Sequence, residues 1–369
     1  MNPTVVFVIL SLFGGGAERV VSILASNLAE IGWNVHLVIY QTKDREYPIS
    51  SRVKLHRLHD FQKLNPVLRR IKYLTSIRNI VTSANADVVI PFLAIPTVHT
   101  YLAVRRLNCR LITTVRNNPN LYPSNSILRN LVNFCTKHSY AVMYQTEEQR
   151  RYFEKNLNGF VVHNPVNPAM LKAEYQYRDT VQTISTFGRL DTQKNHKLLI
   201  EAFARLLQEN DNIRLKIYGE GDGKKELQEY INDLGVSYQV ELMGNTDKVL
   251  EKMQECDLFV LSSDYEGLPN ALIEAMAVGV PCIATECPTG PKDLLGDNQC
   301  GILVPVRDVD SLVAAMKKMI DNHQIRKMFG MNAKLRIESQ YSIEKVISSL
   351  EKGIIYCLMG KEEDKAWED

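Results

Sequence analysis

No window of eighteen consecutive apolar residues free of charge occurs in these 369 residues, so no segment has the length of a spanning helix. The short apolar stretch Val5–Leu10 lacks the basic flank and the length of a secretory leader, and the chain is expected to be cytoplasmic. The seven cysteines (Cys109, Cys135, Cys256, Cys282, Cys287, Cys300, Cys357) are odd in number and scattered, with none at a metal-ligand spacing. They read as buried free thiols of a reducing compartment, not as a disulfide framework or a zinc site. The glycines at positions 14–16 miss the Gly-x-Gly-x-x-Gly spacing, because residue 19 is Arg, and no Gly-Lys-Ser/Thr follows. That excludes the dinucleotide fingerprint and the nucleoside triphosphatase loop. Repeats with a period of about 20–50 residues and low-complexity segments are absent too.

What is present is an ordinary globular composition, 45% apolar and 23% charged, in a chain long enough for two cores. The net charge of +2 conceals an asymmetry. Residues 1–165 hold 20 Lys+Arg against 9 Asp+Glu, and the remainder holds 24 against 33. A basic first half implies contact with something anionic. A nucleic acid is excluded as that partner, since aromatic interleaving and a recognisable binding module are both missing.

Short apolar runs alternate with helical patterns throughout. Strands are expected at Thr4–Leu10, Val35–Tyr40, Val53–Leu58, Asp87–Phe92, Arg110–Val115, Ala141–Thr146 and Phe160–His163. Helical patterns between them include Glu18–Ile31, Asn65–Ser83 and Ser126–His138. The prolines of Asn164–Pro168 interrupt the pattern, and residues 169–181 are polar and irregular. Strands then resume at Thr183–Phe187, Arg214–Tyr218, Gln239–Met243, Leu258–Ser262, Cys282–Thr285 and Gly301–Val304. The last helices are expected at Ser311–Asp321, Gln324–Ser339 and Ile343–Leu358, before a charged tail at Gly360–Asp369. Continuous apolar strands separated by helices predict parallel sheets covered on both faces. The fold class is therefore α/β, with two doubly wound, Rossmann-like domains at 1–168 and 169–340. Residues 341–369 supply a helix packing back toward the first domain, followed by the tail.

The most informative stretch is Asp264–Met276, where Glu266 and Glu274 stand eight residues apart. Gly267 and Pro269 keep the approach loop irregular, Asn270 is placed to cap the following helix, and Glu274 falls in its first turns. Such a helix start offers acceptors for sugar hydroxyls and N–H donors for a phosphate. An isolated pair of glutamates on a helix is usually only solvated charge. A second cluster, Phe187–His196, changes that reading. It follows an apolar strand and precedes a helix, so Arg189 and Lys194 flank a strand-to-helix loop, where open α/β sheets bind ligands. Two cations there suit a diphosphate whose charge grows as it leaves.

Three further segments carry chemistry. Gly14–Gly16 open the first helix and allow backbone N–H groups close to an anion. The helix pattern at 67–78 mixes Arg69, Arg70, Lys72 and Arg78 with Val67, Ile71, Leu74 and Ile77, which can share one face. A basic amphipathic helix can lie on an anionic membrane surface, and an ordinary surface helix has the same pattern. Asp308 and Asp310 have the Asp-x-Asp spacing of metal-binding transferases, but their place before a helix favours capping, and no metal is assigned.

These residues together resemble glycosyltransferase family 4, retaining enzymes of the GT-B fold, of the bacterial surface-polysaccharide and lipooligosaccharide type. The match runs in family order through 14–19, 163–167, 188–196, 218–221 and 266–275. The resemblance implies a UDP-sugar held by Arg189 and Lys194 at its diphosphate and by Glu274 at its ribose. It places Glu266, with backbone from Gly267 and Leu268 to Asn270, at the sugar, Gly15 and Gly16 at phosphate, and Tyr218 and Met243 near the base. Many family members carry a histidine after the fifth strand; this chain has Arg116 and Asn117 there. A guanidinium is no general base at neutral pH, so the acceptor proton is expected to pass to the leaving phosphate, with Arg116 touching phosphate, sugar or acceptor. Glu266, Arg116 and Asn117 are the candidate catalytic residues. Neither a cofactor nor a metal is expected. The implied acceptor is a glycan on polyprenyl diphosphate, met at the inner membrane face. A GDP-mannose-dependent transferase, a sugar-nucleotide epimerase and a phosphorylase are the rival readings, although no lysine stands out for the pyridoxal phosphate that a phosphorylase needs.

Overall fold

The computed structural model describes every residue except 1, 44, 153–156, 210–211 and 360–369. The charged tail read at Gly360–Asp369 therefore lies outside the described residues. The chain divides into two compact units, Met1–Pro165 with Glu344–Asp369, and Val166–Ile343.

The first unit is built on seven parallel strands: β1 (Thr4–Ile9), β2 (Asn34–Ile39), β3 (Lys54–Arg57), β4 (Val88–Pro91), β5 (Arg110–Thr114), β6 (Ala141–Tyr144) and β7 (Gly159–Val161). They lie in the order β3-β2-β1-β4-β5-β6-β7. The central strand β1 is apolar from Val5 to Ile9 because both of its faces are covered, and all five residues are fully buried. The last helix, Ile343–Met359, belongs to this unit, where Trp33 Nε1 donates to Glu351 Oε1 at 3.0 Å.

The second unit holds β8 (Thr183–Phe187), β9 (Arg214–Tyr218), β10 (Val240–Gly244), β11 (Leu258–Leu261), β12 (Cys282–Thr285) and β13 (Ile302–Val304), in the order β10-β9-β8-β11-β12-β13. Side chains alternate between two cores. Leu258 and Val260 join the cluster under helices His196–Leu206 and Val309–Asp321, while Phe259 and Leu261 join the one under Asn270–Val278 and His323–Tyr341. Each large apolar side chain so buried contributes about 1.5–3 kcal/mol. Both sheets reverse direction beside their first strand, at β1/β4 and at β8/β11. In doubly wound sheets the crevice beyond the strand ends at this point takes the ligand. The loops after β8 and β11, which carry the two motifs singled out in the sequence, therefore meet at the switch point of the second sheet.

Candidate active site

Lys194 and Glu266 are brought together where these loops meet. Lys194 Nζ lies 2.6 Å from Glu266 Oε1 in a largely buried ion pair. Ser263 Oγ donates to the same oxygen at 2.6 Å, and Gln193 Nε2 donates to Glu266 Oε2 at 3.4 Å and to the Tyr265 carbonyl at 3.0 Å. Arg189 joins from the exposed side, donating through Nη2 to Gln193 Oε1 at 3.1 Å while pairing with Asp191. The two cations are thus linked through one glutamine and one carboxylate. Two further bonds lock the loops to each other, Asp264 N to the Gln193 carbonyl at 2.9 Å and Asn195 Nδ2 to Asp264 Oδ1 at 2.9 Å. Asn195 also caps the helix His196–Leu206. Beneath the loop, His196 Nε2 lies 3.1 Å from the Arg189 carbonyl, and burial lowers the imidazole pKa to about 4. It is therefore neutral at pH 7 and donates from Nε2.

The helix Asn270–Val278 differs from expectation at its start. Pro269, not Asn270, is the N-cap, and it makes no side-chain cap hydrogen bond; Asn270 is already the first helical residue. The proline supplies fixed φ in an approach loop too constrained for an Asn cap. Glu274 falls in the second turn, within the first turns as expected, and is only 6% exposed. Thr289 Oγ1 holds the Glu266 carbonyl at 2.6 Å and the Gly267 carbonyl at 3.2 Å, and Leu268 is buried.

At the end of β9, Gly219 adopts φ +144°, and a Cβ there would stand 1.9 Å from the Gly188 carbonyl oxygen. Only glycine lets the two strand ends approach this closely. The Tyr218 ring is buried and stacks on Phe187 with centroids 4.4 Å apart, so its side chain offers no face to a base. Met243, at 40% exposed, does.

In the first unit, Gly15 is the N-cap of helix Gly16–Glu30 and makes no side-chain cap hydrogen bond. A Cβ on Gly15 would collide with the Glu18 carboxylate at 1.9 Å, so the glycine makes room for that side chain over the helix start. Burial raises the Glu18 pKa. Arg116 follows β5. Its guanidinium stacks on Phe92 at 4.3 Å, and Nη1 donates to Asn164 Oδ1 at 3.2 Å. The adjacent Asn117 turns its Oδ1 back to the Asn118 amide at 2.7 Å.

Comparison with known proteins fits this arrangement. The family model "Glycosyltransferase Family 4" matches residues 14–170, and "Glycosyl transferases group 1" matches residues 171–336. Together they span most of the chain. It is a family 4 glycosyltransferase. The chain is 29% identical to a Campylobacter jejuni subsp. jejuni serotype O:2 transferase, N-acetylgalactosamine-N,N'-diacetylbacillosaminyl-diphospho-undecaprenol 4-alpha-N-acetylgalactosaminyltransferase, over 90% of this chain and 94% of that protein. The amylovoran biosynthesis glycosyltransferase AmsD of Erwinia amylovora is 26% identical over 86% and 90%. Among solved structures, a TarM mutant of S. aureus in complex with Fondaparinux, alpha-GlcNAc-glycerol and UDP superposes with TM-score 0.78 over 95% of this chain and 99% of that one, at 14% identity. Anabaena Alr3699/HepE in complex with UDP and glucose gives 0.78 over 96% and 100%, at 16% identity. The fold is GT-B.

The basic helix of the transferase is divided differently from its sequence pattern. In Pro66–Ser83, Tyr73, Ile77 and Val81 are buried and Leu74 packs against the same core, so the face proposed from Val67, Ile71, Leu74 and Ile77 is split. Val67 (67% exposed), Leu68 and Ile71 face outward from the first turns only. Arg78 stays exposed but is engaged, since Nη1 donates to the Ala103 carbonyl at 2.8 Å and the Arg105 carbonyl at 3.2 Å. Asp308 caps the helix Val309–Asp321, accepting from the Ser311 amide at 2.9 Å and its hydroxyl at 2.6 Å, and Asp310 pairs with Arg205 at 2.7 Å. Sequence reasoning missed Gln193, Ser263, Asp264 and Thr289. Only Gln193 and Asp264 lay inside the motifs, and none has a residue type that signals a site without its partners.

Proposed function

We propose that this glycosyltransferase moves a hexose or N-acetylhexosamine from a UDP-sugar, with retention at the anomeric carbon, to a carbohydrate acceptor on polyprenyl diphosphate in surface polysaccharide assembly. The observation that carries this reading is the Arg189–Gln193–Glu266–Lys194 cluster beside a helix whose start has no side-chain cap. An ammonium has three donors, and Glu266 takes one from Lys194, which leaves that cation able to meet a diphosphate as well. Arg189 supplies a second, exposed cation, so charge on the leaving group is stabilised by side chains and no metal is required. Glu274 accepts from the ribose hydroxyls. Glu266 and backbone at Gly267, Leu268 and Asn270 orient the sugar, Gly15 and Gly16 give N–H groups to phosphate, and Met243 borders the base. Burial lowers Arg116 to about 9, which still leaves it a cation at neutral pH and no base. The acceptor proton then passes to the leaving diphosphate on the same face.

The named Campylobacter relative acts on a diphospho-undecaprenol glycan, which supports a lipid-linked acceptor; such an acceptor would be met at the inner membrane face. Among the described residues no helix is long and apolar enough to cross a membrane. Docking uses the outward start of Pro66–Ser83, where Arg69, Arg70 and Lys72 surround Val67, Leu68 and Ile71.

A thermal-shift panel tests the donor. UDP and UDP-sugars should raise the melting temperature, with saturation at a hundred times Kd contributing about 2.7 kcal/mol. Stabilisation by GDP-mannose and not by UDP moves the assignment to the guanosine donor. Conversion of the UDP-sugar with no acceptor present marks an epimerase.

A further inference from the structure

Arg116 and Asn117 line a pocket of the first unit to which no ligand is assigned above. Its walls include Leu93, Ala94, Val115, Tyr122, Pro123 and Val132. They are mainly apolar, yet two independent features at the site attract an anion. Arg116 lines it, and its Nε and Nη2 are buried with no hydrogen-bond partner, so a desolvated cation stands there without a counter-charge. The helix Ala94–Val104 begins at the same pocket, and its N-cap, Leu93, cannot cap it with a side chain; Leu93 also holds φ +71°. A positive helix end and an uncompensated guanidinium define the anionic part of a ligand. The apolar walls define the rest.

Exposed apolar side chains also stand at the edge of the pocket. Helix Ser126–Lys137 contributes Val132, Asn133 and Thr136 to the walls. Ile127 (73%), Leu131 and Phe134 take no part in the pocket and are exposed on the opposite face of this helix. Leu121 and Tyr122, in the loop before it, are exposed as well. An amphiphile with a charged head and a hydrocarbon tail fits a pocket that sets a cation among apolar walls, and a free sugar or an inorganic anion matches only part of it.

We propose that this pocket is a prenyl-diphosphate subsite: Arg116 and the start of Ala94–Val104 take the diphosphate of the lipid-linked acceptor, and the apolar walls take its first isoprene units. The inference rests on the acceptor class proposed above and assigns it a place. The same guanidinium would also suit the diphosphate of the donor, so the test separates the two sources.

Binding of farnesyl diphosphate, inorganic pyrophosphate and UDP to the full chain is measured by calorimetry for the native protein, Arg116→Gln and Val132→Asn. Farnesyl diphosphate should bind the native chain more tightly than pyrophosphate. Arg116→Gln should weaken it by about tenfold to a hundredfold with UDP affinity unchanged, as expected for a charge-assisted contact. Val132→Asn should weaken farnesyl diphosphate while sparing pyrophosphate. Loss of UDP binding in Arg116→Gln assigns the arginine to the donor and overturns the proposal, as does unchanged affinity for farnesyl diphosphate. Should a melting curve show Arg116→Gln unfolded, the Val132 variant decides by the same criterion. Failure of UDP to bind the native chain sinks the donor reading of the other unit without touching this one.

Discussion

The two units share one strand order around their switch points but treat the loops there in opposite ways. After β8 and β11 the second unit ties polar side chains to each other: Lys194, Gln193 and Ser263 converge on Glu266, and Asn195 and Arg307 hold Asp264. After β1 and β5 the first unit is less tied, with Glu18 folded over Gly15 and Arg116 holding two buried nitrogens without acceptors. It also exposes apolar residues on helices Pro66–Ser83 and Ser126–Lys137. The contrast teaches that the sheet supplies a place for a ligand, while the loops decide how finished that place is before the ligand comes. A cross-linked loop is preorganised for a compact polar ligand. An under-satisfied pocket beside an apolar surface suits a ligand that brings its own charge and hydrocarbon.

The sharpest way to break this comparison is to cut the network of the second unit. Glu266→Ala leaves Lys194 largely buried without its partner and should cost about 3–5 kcal/mol of stability, read by urea unfolding. A loss under about 1 kcal/mol, the size expected of an exposed pair, would show that the loop is held by its backbone bonds alone.

Acid should weaken both units. Burial depresses His196 in the second unit, and His36 and His99 in the first, each to about 4. A histidine whose folded pKa lies below its unfolded value of about 6.5 adds stability that is fully present above that value. This contribution fades as pH falls toward 4. For the nearly fully buried His196 the loss is on the order of 3 kcal/mol. His196→Gln should flatten the fall in unfolding free energy between pH 7 and 4.5, and an unchanged slope would mean that this imidazole is not held neutral.

Lys194→Ala should weaken donor binding by about 1.5–3 kcal/mol, with a larger effect on UDP than on any prenyl diphosphate. Equal losses for both ligands would erase the division of labour between the units. Glu274→Gln should cost UDP affinity about 1 kcal/mol by turning a diol acceptor into an amide. Calorimetry with UDP that returns the native Kd removes Glu274 from the ribose.

The smallest effect per residue is expected at helix Pro66–Ser83, if it docks on a membrane as proposed. Replacing Arg69, Arg70 or Lys72 with Gln should lower binding to anionic vesicles by about 1 kcal/mol each, and salt should abolish the difference. Arg78→Gln should leave vesicle binding alone and reduce stability instead, since Arg78 bonds the Ala103 and Arg105 carbonyls. Identical behaviour of Arg78 and Arg70 would contradict that division of the helix.

The sequence pattern made the strands legible because β1, β4 and β11 are buried on both faces and are apolar almost without interruption. Shorter helices such as Ala94–Val104 escaped, since a helix with Ile95, Leu102 and buried threonines has no clean stripe. The paired loops were legible as motifs, because charged residues between a strand and a helix stand out from both. Their wiring was not. Ser263, Gln193 and Thr289 matter only through oxygens on residues 3 to 73 positions away in the chain.

By itself, then, the order of residues determined the α/β class, the alternation that builds two parallel sheets, and the two loops that carry Arg189, Lys194 and Glu266. Period and spacing are local properties, and a linear pattern records them in full. Tertiary structure decided the rest. It sent Ile77 inward and Val67 outward on one helix, because packing against the sheet chooses a face that the pattern leaves ambiguous. It tied Arg78 to two backbone carbonyls, seated Tyr218 on Phe187, and left two buried nitrogens of Arg116 without acceptors. Each of these depends on which atoms from distant segments arrive at a given point, and no spacing along the chain encodes that.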